Sequence, residues 1–116
     1  MNAIANMTHA FPEYKSQVEQ DWATFGPMLL YAEYNERVQV MHYEPVTFNL
    51  PGGKYTPDFM ALLQSGLVVF VECKGSRKQK NYRDARSKLR AAKALHPWFE
   101  FVEAVGKGEN WEVDVL

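Results

Sequence analysis

The chain holds 116 residues, 47% hydrophobic and 14% aromatic, enough to bury one core and too few for several. No apolar run approaches the roughly 18 residues that cross a bilayer, and the opening MNAIANMTHA has neither the basic stretch nor the apolar centre of a secretion signal, so a cytoplasmic protein outside any membrane is expected. The net charge of −1 conceals three blocks: residues 1–73 carry three basic and eight acidic groups (net −5), residues 74–93 nine and one (net +8), and residues 94–116 one and five (net −4). A basic block that dense fits a face that meets a polyanion and fits a solvated helix flank equally well.

A single domain over residues 1–116 is expected, with residues 1–10 as a flexible N-terminus. Tyr14, Val18, Trp22 and Phe25 recur at helical spacing between Pro12 and Phe25, and Gly26 and Pro27 are expected to end that helix. The segment MLLYAEYNERVQVM, residues 28–41, fits a helical turn with a loop as well as a short strand pair. HYEPVTFNL, residues 42–50, alternates as a strand, with Pro45 marking an edge or a bulge. PGG at 51–53 is a turn that folds the next strand back on this one. Residues 55–74 read as a hairpin apolar on both faces, hence central and covered on both sides. Tyr82, Ala85, Leu89, Ala92 and His96 then mark a second amphipathic helix, with Lys and Arg on its flanks and Pro97 as its stop. WFEFVEAV and WEVDVL close the chain as two strands around the turn in GKGEN. The fold class is α/β, a mixed central sheet flanked by helices.

The hairpin carries the chemistry. If Gln64, Ser65 and Gly66 form its turn, Leu63 pairs with Leu67, Asp58 falls opposite Glu72, and Lys74 stands beside Glu72 on the same face. A slip of one residue sends Asp58 to the other face. Facing carboxylates repel beside an apolar sheet unless a cation joins them. Lys74 in a structural ion-pair cluster is one answer, and a divalent metal is the other. Hard oxygen donors without a nearby His suit Mg²⁺ or Mn²⁺, with the backbone carbonyl of Cys73 as a further ligand. The lone thiol of Cys73, inside an apolar strand, reads as core. A metal beside Lys74 suits attack of water on a phosphate ester, and the adjoining basic segment makes a nucleic-acid backbone the simplest target. Arg77, Lys78 and Lys80 lie nearest the site as phosphate contacts, with Arg83 and Arg86 following as DNA-binding residues. Lys88, Arg90 and Lys93 read as mixed contact and solvation. Tyr82 reads as a core or boundary aromatic. His9, His42 and His96 have no ligand spacing, and Trp22, Trp98 and Trp111 read as core, an exposed one being suited to a dimer interface.

TPDF, followed thirteen residues on by ECKG, resembles the signature of the PD-(D/E)xK nucleases, with Pro57 and Asp58 as its first half and Glu72, Cys73 and Lys74 as its second. Upstream, SQVEQDW resembles that family's first-helix pattern, which implies Glu19 as a fourth site residue facing the metal. Ser16 and Glu19 also form a capping-box pair. YNERVQVMHYEPVTFNLPGGKYTPDF is similar to the TnsA-like transposon-end nucleases and small phage Holliday-junction resolvases, and the likeness runs from residue 14 to 105. The resemblance implies a restriction-endonuclease-like core of αβββαβ order. It also implies Mg²⁺-dependent hydrolysis of DNA by Glu19, Asp58, Glu72 and Lys74, a homodimer that cuts two strands, and phage or transposon proteins as partners. A metal-dependent DNA endonuclease of a phage or mobile element, acting on junctions or ends, is therefore expected. The alternatives are a non-catalytic DNA-binding or assembly subunit with a nuclease-like fold, and a nuclease acting on RNA.

Overall fold

The computed structural model describes residues 13–116. The expected N-terminal tail and His9 lie outside the described residues. Helix α1, Gln17–Tyr34, starts where Ser16 in extended conformation accepts a hydrogen bond from the Glu19 N–H at 3.3 Å. It ends at Asn35, whose left-handed φ of 57° turns its N–H back to the Tyr31 carbonyl. The stop expected at Gly26 and Pro27 does not occur. Trp22 and Leu30 are fully buried on either side of it, and that tertiary burial outweighs the backbone bond lost at Pro27. Gly26 serves packing here, since a Cβ at that position would stand 2.5 Å from the Trp22 ring. The buried stripe is therefore Trp22, Gly26 and Leu30, and Phe25 falls beside it.

The ambiguous segment after residue 28 divides into the second half of α1 and the start of strand β1, Val38–Tyr43. The single strand expected over 42–50 is broken: Glu44 takes a left-handed φ of 48°, Pro45 follows, and the chain leaves the main sheet. Strands β2, Phe48–Leu50, and β3, Gly53–Tyr55, form a separate two-stranded ribbon closed at Pro51 and Gly52. Strands β4, Phe59–Leu63, and β5, Val68–Lys74, then pair with Phe59 opposite Val71 and Leu62 opposite Val68, the register the turn at 64–66 demands. Gly66, at φ 94°, closes that turn with its N–H on the Leu63 carbonyl.

Helix α2, Tyr82–Leu95, returns the chain so that β6, Glu100–Lys107, runs parallel to β5, and β7, Asn110–Val115, folds back antiparallel. The five-stranded sheet has the order β1-β4-β5-β6-β7 and is mixed, in an α/β arrangement. One core lies under α1 and joins Trp22 and Leu30 to Phe59, Ala61, Leu63, Val69, Val71 and Cys73. The other lies under α2 and the ribbon and joins Phe48, Tyr55, Leu89 and Ala92 to Phe70 and Phe101. Apolar side chains on both faces of β4 and β5 have their physical reason in these two cores. No described helix is long and apolar enough to cross a membrane.

Candidate active site

The open end of the β4–β5 hairpin gathers residues from four segments. Carrying the register one step past Phe59 and Val71 sets Asp58 against Glu72, and the Cys73 N–H donates to Asp58 Oδ2 at 2.8 Å. Lys74 Nζ lies 3.5 Å from Glu72 Oε2, and both side chains are largely buried. Glu19 comes from the first turn of α1. Its carboxylate does not complete a capping box. It turns inward, accepts hydrogen bonds from the Ser16 hydroxyl at 3.3 Å and the Tyr43 hydroxyl at 3.1 Å, and is 8% exposed. Oxygens of Glu19, Glu44 and Asp58 all lie within 4.8 Å of one another. A cavity of about 210 Å³ opens beside them, lined among others by Lys15, Glu19, Asp58, Cys73, Lys74 and Gln79.

Glu44, Lys15, Tyr43 and Tyr55 had no assigned role in the sequence reading. The left-handed turn at Glu44 places its N–H on the Asp58 carbonyl at 2.9 Å and its carboxylate on the exposed Lys15 ammonium at 2.9 Å. A glutamate directly before the Pro at a strand exit was the signal that pointed there. Tyr55 reaches from the ribbon and donates to Glu72 Oε1 at 2.7 Å in a buried contact. With Oε1 on Tyr55 and Oε2 toward Lys74, the Glu72 carboxylate is fixed at both oxygens.

The electrostatics follow from crowding. Burial first, and the Glu72 charge second, push the Asp58 carboxyl well above its ordinary value, against the lowering effect of the Cys73 N–H. Burial also raises Glu72, opposed by the Tyr55 hydroxyl and the Lys74 ammonium. The Cys73 thiol is pushed up by burial and by the same carboxylates, so it stays uncharged, and the donors that remain are oxygens.

The acids form a row at one level of the sheet. Glu72 is the register partner of Glu103, and Glu103 of Asp114. Arg86 serves the far half: its Nη1 lies 2.9 Å from Glu103, which is 1% exposed and also accepts from Tyr82 at 2.7 Å, and its Nη2 lies 2.9 Å from Asp114. Arg86, expected as a DNA-binding residue, thus has its guanidinium committed to two carboxylates of the sheet. Arg77 pairs with Glu112 at 2.7 Å, whereas Lys78, Lys80 and Arg83 are exposed and, among the described residues, have no carboxylate within 4.0 Å. Lys74 serves Glu72 at the near half. Among the described residues no cation stands within 4.0 Å of Asp58 or Glu19.

Comparison with protein-family models, curated proteins and solved structures finds no match.

Proposed function

We propose that this chain is a metal-dependent DNA endonuclease with a restriction-endonuclease-like core. One observation carries the reading: among the described residues the carboxylates of Asp58 and Glu19 are packed beside a cavity without an ion-pair partner, while the neighbouring Glu44 and Glu72 each have one. Crowded carboxylates without a counter-ion cost stability, so a cation is the natural complement. The donors are hard oxygens, the sulfur beside them is an uncharged buried thiol, and Mg²⁺ or Mn²⁺ fits that set. Asp58 and Glu19 would hold it, with the Cys73 backbone at the same cavity, a Glu44 oxygen within 4.8 Å of both carboxylates, and Glu72 paired with Lys74 beside Asp58. A divalent cation bound there supplies charge neutralisation at a phosphate and acidifies a water.

The remaining chemistry belongs to the side chains. Lys74, held by Glu72, presents its ammonium to the cavity, where it orients the attacking water and offsets negative charge on the phosphate oxygens. Water oxygen bonds to phosphorus as the ester P–O bond breaks, leaving a phosphate monoester and a free hydroxyl. Tyr43 and Tyr55 keep Glu19 and Glu72 in single orientations. A homodimer belongs to the reading, because two strands of a duplex need two such sites. Incubation with supercoiled and four-way-junction DNA in Mg²⁺ or Mn²⁺ should give cleavage that Asp58→Ala and Lys74→Ala abolish. Intact DNA in both metals would overturn the reading.

A further inference from the structure

Helix α2 sorts its cations by face. Arg86 and Lys93 lie on the flank toward β6 and β7 and are paired with Glu103, Asp114 and Glu100. Lys88, on the opposite flank, pairs with Asp84. Arg83 and Arg90 are seven residues apart, two full turns, and share the outer face opposite the buried Leu89 and Ala92. Both are exposed and, among the described residues, have no carboxylate within 4.0 Å. The exposed residues between and beyond them on this face are the small Ser87 and Ala94.

An exposed aromatic group follows the C-terminal end of α2. Trp98 is 66% exposed and the adjoining Leu95 47%. The indole is not loose: it stands edge-on to His96 at 5.6 Å and to Phe99 at 6.0 Å, and His96 itself packs on the core ring of Phe48 at 4.9 Å. A large apolar ring held in place at the surface offers contact area with little ordering left to do. The carbonyl end of a helix disfavours a phosphate, so the ring at this end suits the face of a base. Neutral stacking on aromatic rings is how unpaired nucleotides are held.

We propose that the outer face of α2 is the track for the nucleic-acid backbone, through Arg83 and Arg90, and that Trp98 stacks on an unpaired base at its far end. The substrate class is then DNA with unpaired bases about 20 Å from the site end of α2, the length of a 14-residue helix and of about six base pairs. This inference rests on the endonuclease reading for the place of the cut and not for the binding itself.

Fluorescence anisotropy tests it with a short duplex and the same duplex carrying a single-stranded flap, using Asp58→Asn in every protein to keep the DNA intact. Arg83→Ala and Arg90→Ala should each weaken both DNAs about fivefold and lower the log–log salt slope by about one. Trp98→Ala should weaken the flapped DNA about tenfold and leave the duplex unchanged, and Trp98→Phe should restore most of the loss. Flap affinity within twofold of the parent for Trp98→Ala overturns the proposal. So does a shift from dimer to monomer in sedimentation with flap preference intact, which makes the indole a contact between copies. The expected binding pattern in a protein whose wild type cuts nothing would reject the nuclease reading and keep this one.

Discussion

Asp58→Asn isolates the electrostatic core of the site. Asparagine keeps the volume and an oxygen that accepts from the Cys73 N–H, and removes one negative charge. Each pair of charges among Glu19, Glu44 and Asp58, at 4.8 Å or less, costs about 3.5 kcal/mol at an effective dielectric constant of about 20. The carboxyl escapes part of that cost by binding a proton, which limits the penalty at pH 7 to about 4 kcal/mol for a group of ordinary value 3.8. Lost attraction to Lys15 and Lys74 offsets some of the rest, so the variant should be more stable by about 1–3 kcal/mol in chelator, or about 3–10 °C in Tm. The sign with pH follows from the raised value, about 9 in the folded chain. The folded protein keeps a proton that the unfolded chain has released, so the contribution of Asp58 to wild-type stability is full below pH 4 and falls as pH rises toward 9. The gap between variant and wild type should therefore close in acid and widen in alkali. Mg²⁺ at a hundred times its Kd should return about 2.7 kcal/mol to the wild type and nothing to the variant. Thermal melts from pH 4 to 9, in chelator and in Mg²⁺, measure all of this. A less stable Asp58→Asn at pH 8 in chelator would refute the reasoning.

Tyr55→Phe frees Glu72 Oε1 and leaves the ring in the core; stability should drop by about 1 kcal/mol. Cleavage should need about tenfold more Mg²⁺ for half-maximal rate, read from metal titrations. Arg86→Met leaves the carboxylate of Glu103 buried without its cation, and urea melts should show a loss of about 3–5 kcal/mol. Arg83→Met, on the open face of α2, should stay within about 0.5 kcal/mol of wild type in the same melts. Gly26→Ala should lose about 2 kcal/mol despite alanine's better helix propensity, because the Cβ meets the Trp22 ring at 2.5 Å; calorimetry reads the difference.

The hairpin at the centre of the site was legible because two short-range rules agree on it: side chains alternate with period two, and the turn at Gln64–Gly66 leaves one register. The pairing of Phe48 with Tyr55 follows from Pro51–Gly53 in the same way. The length of α1 was not legible. Gly26 and Pro27 are local breakers, and what keeps the helix going is Leu30 in a core assembled from β4, β5 and β6. Glu44 and Tyr55 escaped for a related reason. One reaches the acids only through a left-handed turn, the other only because the ribbon folds over β5.

Arg86 shows most clearly what a linear reading of charge leaves out. Counting residues 74–93 ranks nine cations together; the sheet divides them. The strand register lines up Glu72, Glu103 and Asp114 across β5, β6 and β7, with Asp58 one step past the paired end of β4. A row of like charges at one level of a sheet is unstable unless cations are distributed along it. Arg86 covers the half beneath α2, and Lys74 covers Glu72. The deficit falls at Asp58 and Glu19, where the sheet ends and the cavity begins. A metal at that point would complete a charge pattern that spans the sheet, in which Arg86 balances Glu103 and Asp114 while Arg83 and Arg90 stand exposed on the outer face of α2.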